Sequence, residues 1–461
     1  MFERLLSWVK RVIGMFKRNT IKERLGVDVA VSGEMSRAVE LWSKMYTGNA
    51  PWLSDTVRSL NLPSAVASEL ARLTTLEMVS EVTGSARADY INTQYQEVIG
   101  NIRRYTEYAC AKGGMVLKPY LSDGGIAVSC IQADSFFPTA FDSSGNITGA
   151  VFVEQLVKGD KYYTRLEYHN LSGRTYAISN RAYRSDSASD LGSAIPLGSV
   201  PEWEGLQEDT TIANIDRPLF GYFKVPLANT IDNTSPLGVS VYARAVELIK
   251  QADKQYSRLL WEFESGERAV YIDMTAFKKD KDGKPVLPDK RLYRTLNIEL
   301  PNTKMYEDWS PEFRDASLLN GLNALLRKIE YNCGLAYGTL SDVQDVDKTA
   351  EEIRSSKQRS YSTVCDLQKA LKTALEGLVY AMDVYCTLYK LCPAGSYEMS
   401  FEFDDSIVAD RQAEFLEKQT LVGAGIMQPW EFRMWYFGEP EEEAKRAVSG
   451  GDDQLHIGGD G

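Results

Sequence analysis

Histidine is almost missing from this chain: its 461 residues include two, His169 and His456. General-base and nucleophilic chemistry that runs through imidazole therefore has almost nowhere to reside. His169 lies in "KYYTRLEYHNLSGRTYAISNRAYRS", two alternating runs about the turn "NLSG", which predicts a β-hairpin with His169 on one polar strand face. His456 belongs to the tail "GGDDQLHIGGDG", whose composition predicts disorder over 449–461. Phosphate-binding loops are absent too, with no GxxxxGKS/T and no GxGxxG after a strand. "KKDKDGKPVLPDK", residues 278–290, imitates part of a calcium loop, but Lys278 occupies the first ligand position and Asp289 the last, so a hairpin turn at Asp282-Gly283 is expected. "SDVQDVDKTAEE", residues 341–352, gathers Asp342, Asp345, Asp347, Glu351 and Glu352 without the calcium loop's glycine or its twelfth-position glutamate. It reads as a solvated loop entering a helix. No cofactor, no metal and no self-contained enzyme are expected.

Other shortages narrow the class further. The six cysteines form no CxxC pair and follow no signal peptide, which predicts reduced, intracellular thiols. No run approaches 18 uninterrupted apolar residues, so no membrane span is expected and the chain should be soluble. Net basic charge is lacking: the chain carries −12, which argues against gripping DNA but not against letting it slide past. The charge is uneven, with 15 acidic and 5 basic residues in 398–461 against 7 basic and 2 acidic in 1–24. "MFERLLSWVKRVIGMFKRN" interleaves Arg4, Lys10, Arg11, Lys17 and Arg18 with apolar residues at helical spacing. That predicts an amphipathic helix, docked either on protein or on a membrane surface.

What is present has ordinary globular composition, 44% hydrophobic and 25% charged, and too much length for one simple core. Residues 34–112 are mostly helical in pattern, with breaks at "GNAPW" and "NLPS". Residues 115–230 turn to strand signals, "GGIAVSCI", "ITGAVFVEQLV", "KYYTRLEYH" and "RTYAISNRAY". Together they predict an α+β domain over 1–235.

From Val239 to Ser265 there is no glycine or proline, and Val241, Ala245, Leu248, Ala252, Tyr256, Leu259 and Phe263 make one apolar stripe. Such a helix spans roughly 40 Å and needs a long partner. "SPEFRDASLLNGLNALLRKIEYNCG" supplies it, with Ser310 as N-cap, Pro311 at the first helical position, and Phe313, Leu318, Leu322, Leu325 and Ile329 as its stripe. Between the two, "ERAVYIDM" and "RLYRTLNIELP" read as strands flanking the Asp-Gly turn. A third helix opens with a capping box, Thr349 with Glu352, and ends at "CPAG"; its stripe is Val364, Leu367, Leu371, Leu375, Leu378, Met382 and Tyr385. Two or three shorter helices follow, broken at "GAG" and "GEP".

The order of these elements resembles the portal proteins of tailed bacteriophages, particularly the portal family of phages infecting Gram-positive bacteria. The likeness is carried by "YTRLEYHNLSGRTYAISNRAY", "PLANTIDNTSPLGVSVYARAVELIKQADKQYSRLLWEFESGERAVYID", "GTLSDVQDVDKTAEEIRSSKQRSYSTV" and "GIMQPWEFRMWYFGEPEEEA", from about residue 160 to 445. It implies a ring, usually twelve-fold, at one capsid vertex, through which a terminase motor pumps double-stranded DNA and to which a head-tail connector later binds. The expected architecture is an α+β wing (1–235), a stem of two helices (236–264 and 311–335) and a small β-containing clip (265–310). A tunnel loop (336–349), a long kinked helix returning to the wing (350–404) and a helical crown (405–448) complete it.

The resemblance also assigns residues and partners. Lys250, Lys254, Arg258, Arg327 and Lys328 are candidates for facing the DNA channel, with an ordinary solvated helix face as the alternative. Asp342, Gln344, Asp345, Asp347 and Lys348 fall in the tunnel loop, and the segment Gly338 to Lys348, acidic and poor in apolar anchors, is expected to be mobile. Lys278, Lys279, Asp280, Lys281, Asp282 and Lys284 are candidates for docking the terminase large subunit and then the connector; a hairpin that only seals neighbouring subunits is the alternative. Other copies of the chain, the major capsid protein and the scaffolding protein complete the implied partners. A head-completion or scaffold-type virion protein is the rival reading; it would lack the helix, β tip, helix insertion.

Overall fold

This computed structural model describes residues 18–122, 125–188, 190–266, 269–273, 293–296, 306–309, 312–342, 350–403 and 411–449. The chain divides into two compact units, Met1–Glu402 and Phe403–Gly461. The amphipathic segment 1–17 and the tail 450–461 lie outside the described residues.

The first unit opens with helices α1 (Arg18–Leu25), α2 (Gly33–Tyr46) and α3 (Leu62–Thr75), strand β1 (Val79–Thr83), and helices α4 (Ala86–Ile99) and α5 (Ile102–Lys112). Ser32 and Ser85 cap α2 and α4 by accepting from the backbone N–H of Met35 and Ala88. The strand run follows: β2 (Gly114–Ser122), β3 (Gly125–Gln132), β4 (Phe136–Phe141), β5 (Ile147–Lys158), β6 (Lys161–Ser172), β7 (Thr175–Ser185), β8 (Ser193–Ile195), β9 (Asp209–Ala213) and β10 (Gly221–Lys224). Two sheets result, one ordered β10-β2-β3 and one ordered β4-β5-β6-β7-β8 with β9 also on β7. The expected hairpin about "NLSG" is β6–β7, closing at Ser172 and Thr175. His169 lies on a polar strand face as expected, shared with Arg165 and Glu167, but its side chain is interior. It is fully buried, because Phe152 and Tyr176 stand edge-on to its ring at 5.1 and 5.6 Å.

Helix α6 (Val246–Ser265) begins later than its apolar stripe suggests. Residues 239–242 are already committed elsewhere: Val241 N–H donates to the Cys110 carbonyl at 3.0 Å, and Ser240 Oγ reaches the same oxygen at 3.4 Å. A 3-10 turn at Ala243–Ala245 then leads into the helix. Next come β11 (Ala269–Asp273), β12 (Tyr293–Leu296) and β13 (Tyr306–Trp309), then α7 (Asp315–Cys333), α8 (Ala350–Tyr389) and β14 (Glu398–Glu402). Strands β11 and β12 pair in parallel, and β13 joins β11 antiparallel. β11 and β12 are therefore not the two arms of one hairpin, since a tight turn joins antiparallel strands, and the expected turn at Asp282-Gly283 lies outside the described residues. Ser310 and Pro311 lie outside the described residues; α7 starts at Asp315, behind Arg314, whose backbone N–H is bound by Glu262 at 3.1 Å.

Helix α8 runs 40 residues and packs on β10 and β2. Its expected stripe is borne out: Leu367, Leu371, Leu375, Leu378 and Met382 are all buried. Backbone approach at this contact requires glycine at 221, where an added Cβ would stand 2.0 Å from the Ala374 carbonyl oxygen. After α8 the chain returns as β14 to pair with β1. The second unit holds α9 (Arg411–Gly423), α10 (Pro429–Phe437) and α11 (Glu441–Ser449), with the breaks where "GAG" and "GEP" put them.

Candidate functional site

Helices α6 and α7 form an antiparallel hairpin. Its far end is tied by Arg314, whose guanidinium meets Glu262 at 2.7 and 3.1 Å, beside the Phe263–Phe313 ring contact at 5.7 Å. Nearer the middle, Gln255 Nε2 donates to the Leu318 carbonyl at 3.2 Å. This register sets Arg327 and Lys328 toward the N-terminal end of α6, the end that carries Lys250. Ile249, Ala252, Leu259, Leu322 and Ile329 are buried. Phe263 and Phe313, placed in the apolar stripes by spacing, are instead 44% and 48% exposed.

Two loops are held to this hairpin by side chains that spacing did not single out. Asp253, buried on α6, accepts from Trp52 Nε1 and from the Leu60 backbone N–H, both at 2.8 Å. One turn on, Ser257 Oγ accepts from Arg58 N–H at 2.8 Å. Burial raises the Asp253 carboxyl above its ordinary value, against those two bonds. On α7, Glu330 accepts from the backbone N–H groups of Leu340 and Ser341 at 2.6 and 2.8 Å and from Ser341 Oγ at 2.9 Å. Asn323, two turns earlier on the same face, accepts from Asp342 N–H at 2.9 Å and donates to the Asp342 carbonyl at 3.3 Å. The sequence signal was available: Asn323 and Glu330 are seven apart, polar residues within a helix's apolar stretch.

This clamp corrects one expectation. The segment from Gly338 was expected to move freely for want of apolar anchors, yet 340–342 is pinned by polar ones, with Ser341 buried. Of the loop candidates, Asp342 is held at its backbone, while Gln344, Asp345, Asp347 and Lys348 lie outside the described residues. The same is true of Lys278, Lys279, Asp280, Lys281, Asp282 and Lys284. Lys250, Lys254 and Arg258 recur every four residues on α6; Lys250 meets Glu247 at 3.2 Å, Lys254 is half-buried and Arg258 is exposed. Arg327 lies over the Tyr337 ring at 5.3 Å, and Lys328 is exposed.

A second polar cluster lies within the sheets. Glu167 on β6 meets Lys118 on β2, lies 3.2 Å from Arg165, and contacts His169 Nε2 at 2.7 Å; His169 Nδ1 meets Tyr176 Oη at 2.8 Å. Burial alone would raise Glu167, but Lys118, Arg165 and His169 together hold it well below the usual carboxylate range. Burial pushes His169 down, with Glu167 opposing. Every member has a partner inside the cluster, so it is arranged as a structural weld between the two sheets. Among the described residues no cluster of three metal-ligating groups occurs, and no helix is long and apolar enough to cross a membrane.

The sequence matches the family described as phage portal protein, SPP1 Gp6-like, over residues 59–448. No curated protein matches it. Among solved structures it is similar to a chain from the neck of a native GTA particle computed with C12 symmetry, at 11% identity and a TM-score of 0.44 over 91% of this chain and 97% of that one. That likeness is too distant to carry an argument. The family match covers well over half of the sequence and includes the helical hairpin, the 340–342 loop it holds and the long helix α8: the chain belongs to the phage portal protein family.

Proposed function

We propose that this portal protein is one subunit of a closed ring, expected to hold twelve copies, that conducts double-stranded DNA through a capsid vertex. In this reading α6 and α7 are the stem, 265–310 the clip, 336–349 the tunnel loop and 405–448 the crown. Family membership supports it, and one observation carries it beyond the family: the hairpin closes its own seam yet leaves large apolar side chains outside. Trp261, Phe263, Phe313, Leu319 and Tyr331 are 60%, 44%, 48%, 45% and 63% exposed. Cyclic symmetry buries such flanks against identical neighbours. Lys250, Lys254, Arg258, Arg327 and Lys328 then offer few, dispersed phosphate contacts, as a conduit requires, since binding that released many counterions would stall the strand. The clip lysines 278, 279, 281 and 284 are the proposed docking points for the terminase large subunit and afterwards the head-tail connector. No reaction of its own is assigned to the chain.

Imaging of the purified protein with native mass spectrometry tests this reading. Closed rings with an axial hole support it. A strictly monomeric species, even with scaffolding and major capsid proteins present, overturns it. In rings that do form, Lys250→Glu with Lys254→Glu should leave subunit number unchanged and lower DNA packaging; normal packaging returns these lysines to an ordinary solvated face.

A further inference from the structure

The C-terminal end of α8 carries chemistry that the portal role does not use. The helix closes in a Schellman turn: Leu391 N–H donates to the Cys386 carbonyl at 3.1 Å, and Lys390 takes the left-handed conformation at φ 53°. This fold-back brings Cys386, in the last full turn, and Cys392, just beyond the helix, close enough for the two thiols to influence each other. Both pack on the main core, Cys386 fully buried and Cys392 half-buried. Arg87 of α4 fastens the turn from both sides. Its guanidinium meets Asp383 Oδ1 and Thr387 Oγ1, each at 2.7 Å, and its Nε donates to the Pro393 carbonyl at 2.9 Å. The guanidinium thus lies beside the dithiol and is itself buried.

We propose that Cys386 and Cys392 form a reversible dithiol site that takes a small disulfide, of the oxidised glutathione class, as its oxidant. The more accessible Cys392 thiolate attacks one sulfur of the small disulfide, breaking its S–S bond and releasing one thiol. Cys386 then loses its proton and attacks the Cys392 sulfur, expelling the second thiol. Two protein thiols become one protein disulfide, two electrons pass to the oxidant, and two small thiols leave. Burial, together with the nearby Cys392 thiol, pushes the Cys386 thiol up to about 12, so the closing step is the slow one. Below that value its rate should rise about tenfold per pH unit. The bond ties the last turn of α8 to the passage into β14, a crosslink that would form when the protein leaves a reducing compartment.

The site does not depend on the portal reading and is tested apart from it. Reduced full-length protein is exposed to oxidised glutathione and examined by intact mass and peptide mapping. The proposal expects loss of two hydrogens, a Cys386–Cys392 link, and Cys110, Cys130, Cys333 and Cys365 still open to alkylation after unfolding. Cys386→Ser should accumulate a lasting glutathione adduct on Cys392. Cys392→Ser should take up neither bond nor adduct, and it keeps the test decisive should Cys386→Ser fail to fold. An unchanged mass under conditions that oxidise a control dithiol overturns the proposal. So does a link between other cysteines, or separate adducts on Cys386 and Cys392 in the parent protein.

Discussion

The welded sheets and the helical hairpin both bury carboxylates, and they use them in opposite ways. In the sheets Glu167 is matched to cations, Lys118 and Arg165, and to His169, so charge answers charge inside one closed cluster. In the hairpin Asp253 and Glu330 accept from backbone N–H groups of loops, Leu60 on one side and Leu340 and Ser341 on the other. The electrostatic signs follow: Glu167 is held far below its ordinary value, whereas burial raises Asp253. A closed cluster makes the sheets complete in themselves. Carboxylates that reach out to loops make the hairpin a mount, with its outer apolar flank still open.

The largest effect should come from emptying the closed cluster. Glu167→Ala leaves the buried Lys118 and a buried imidazole without their anion, while Arg165 keeps Glu154 at 2.7 Å, and such a loss costs about 3–5 kcal/mol. Denaturant unfolding at fixed protein concentration would measure it. Glu330→Ala should cost less, about 1–3 kcal/mol, because the freed N–H groups of Leu340 and Ser341 can reach water by local opening. Its distinct signature is hydrogen exchange: protection should fall at 340–342 while the sheets keep theirs. A cost at Glu330 equal to that at Glu167, with protection lost throughout, would erase the distinction between weld and mount.

A pH titration sharpens the comparison through the signs. His169 has its folded value below the ordinary 6.5, so its neutral form is favoured in the fold. Its contribution is complete above 6.5 and is lost as pH falls through the window beneath it, at no more than about 1.4 kcal/mol per pH unit. The groups facing it are Glu167 and Arg165 on β6, Tyr176 on β7 and Lys118 on β2, with the Phe152 and Phe220 rings, and Tyr385 on α8 stands behind Tyr176 and Glu167. Glu167, depressed from 4.5, adds a second loss at lower pH. Asp253 runs the other way, since a raised carboxyl favours the protonated fold and offsets part of that loss below its own value. In His169→Gln the first loss should vanish and the second remain; an unchanged profile above pH 5 would remove His169 from the account.

Elements with a local signature were legible in the sequence. The stripe of α8 from Leu367 to Met382, the β6–β7 hairpin about "NLSG" and the breaks of the second unit all follow from spacing and turn chemistry. What escaped is non-local. β1 lies in a stretch read as helical, yet it pairs with β14, and Ser80 Oγ donates to the Ser400 carbonyl across 320 residues at 2.9 Å. No period within either segment encodes that partner. The start of α6 was hidden for the same reason, since Ser240 and Val241 are claimed by Cys110 from a distant helix. The spacing of Asn323 and Glu330 marked a shared helix face but not what they hold, because their partners are backbone groups, and those carry no sequence identity.

The smallest effect concerns the two helix ends. α7 and α8 both stop in a Schellman turn: Leu335 N–H donates to Glu330 O at 2.9 Å, as Leu391 N–H does to Cys386 O. α7 places Gly334 at the left-handed position, φ 72°, whereas α8 places Lys390 there, φ 53°. A lysine in that conformation costs about 1–2 kcal/mol relative to glycine. Glycine returns part of this through the greater freedom of the unfolded chain, about 0.5–1 kcal/mol, and the exposed lysine's charge near the helix C-terminus is worth a few tenths at most. Lys390→Gly should therefore stabilise the reduced protein by about 0.5 kcal/mol. The reverse change at the other end, Gly334→Ala, should destabilise by more than that gain, because its Cβ would also stand 2.4 Å from Thr363 Oγ1. Paired unfolding curves decide the matter: a loss of stability in Lys390→Gly would mean that the lysine side chain holds the α8 turn through contacts that outweigh its backbone strain.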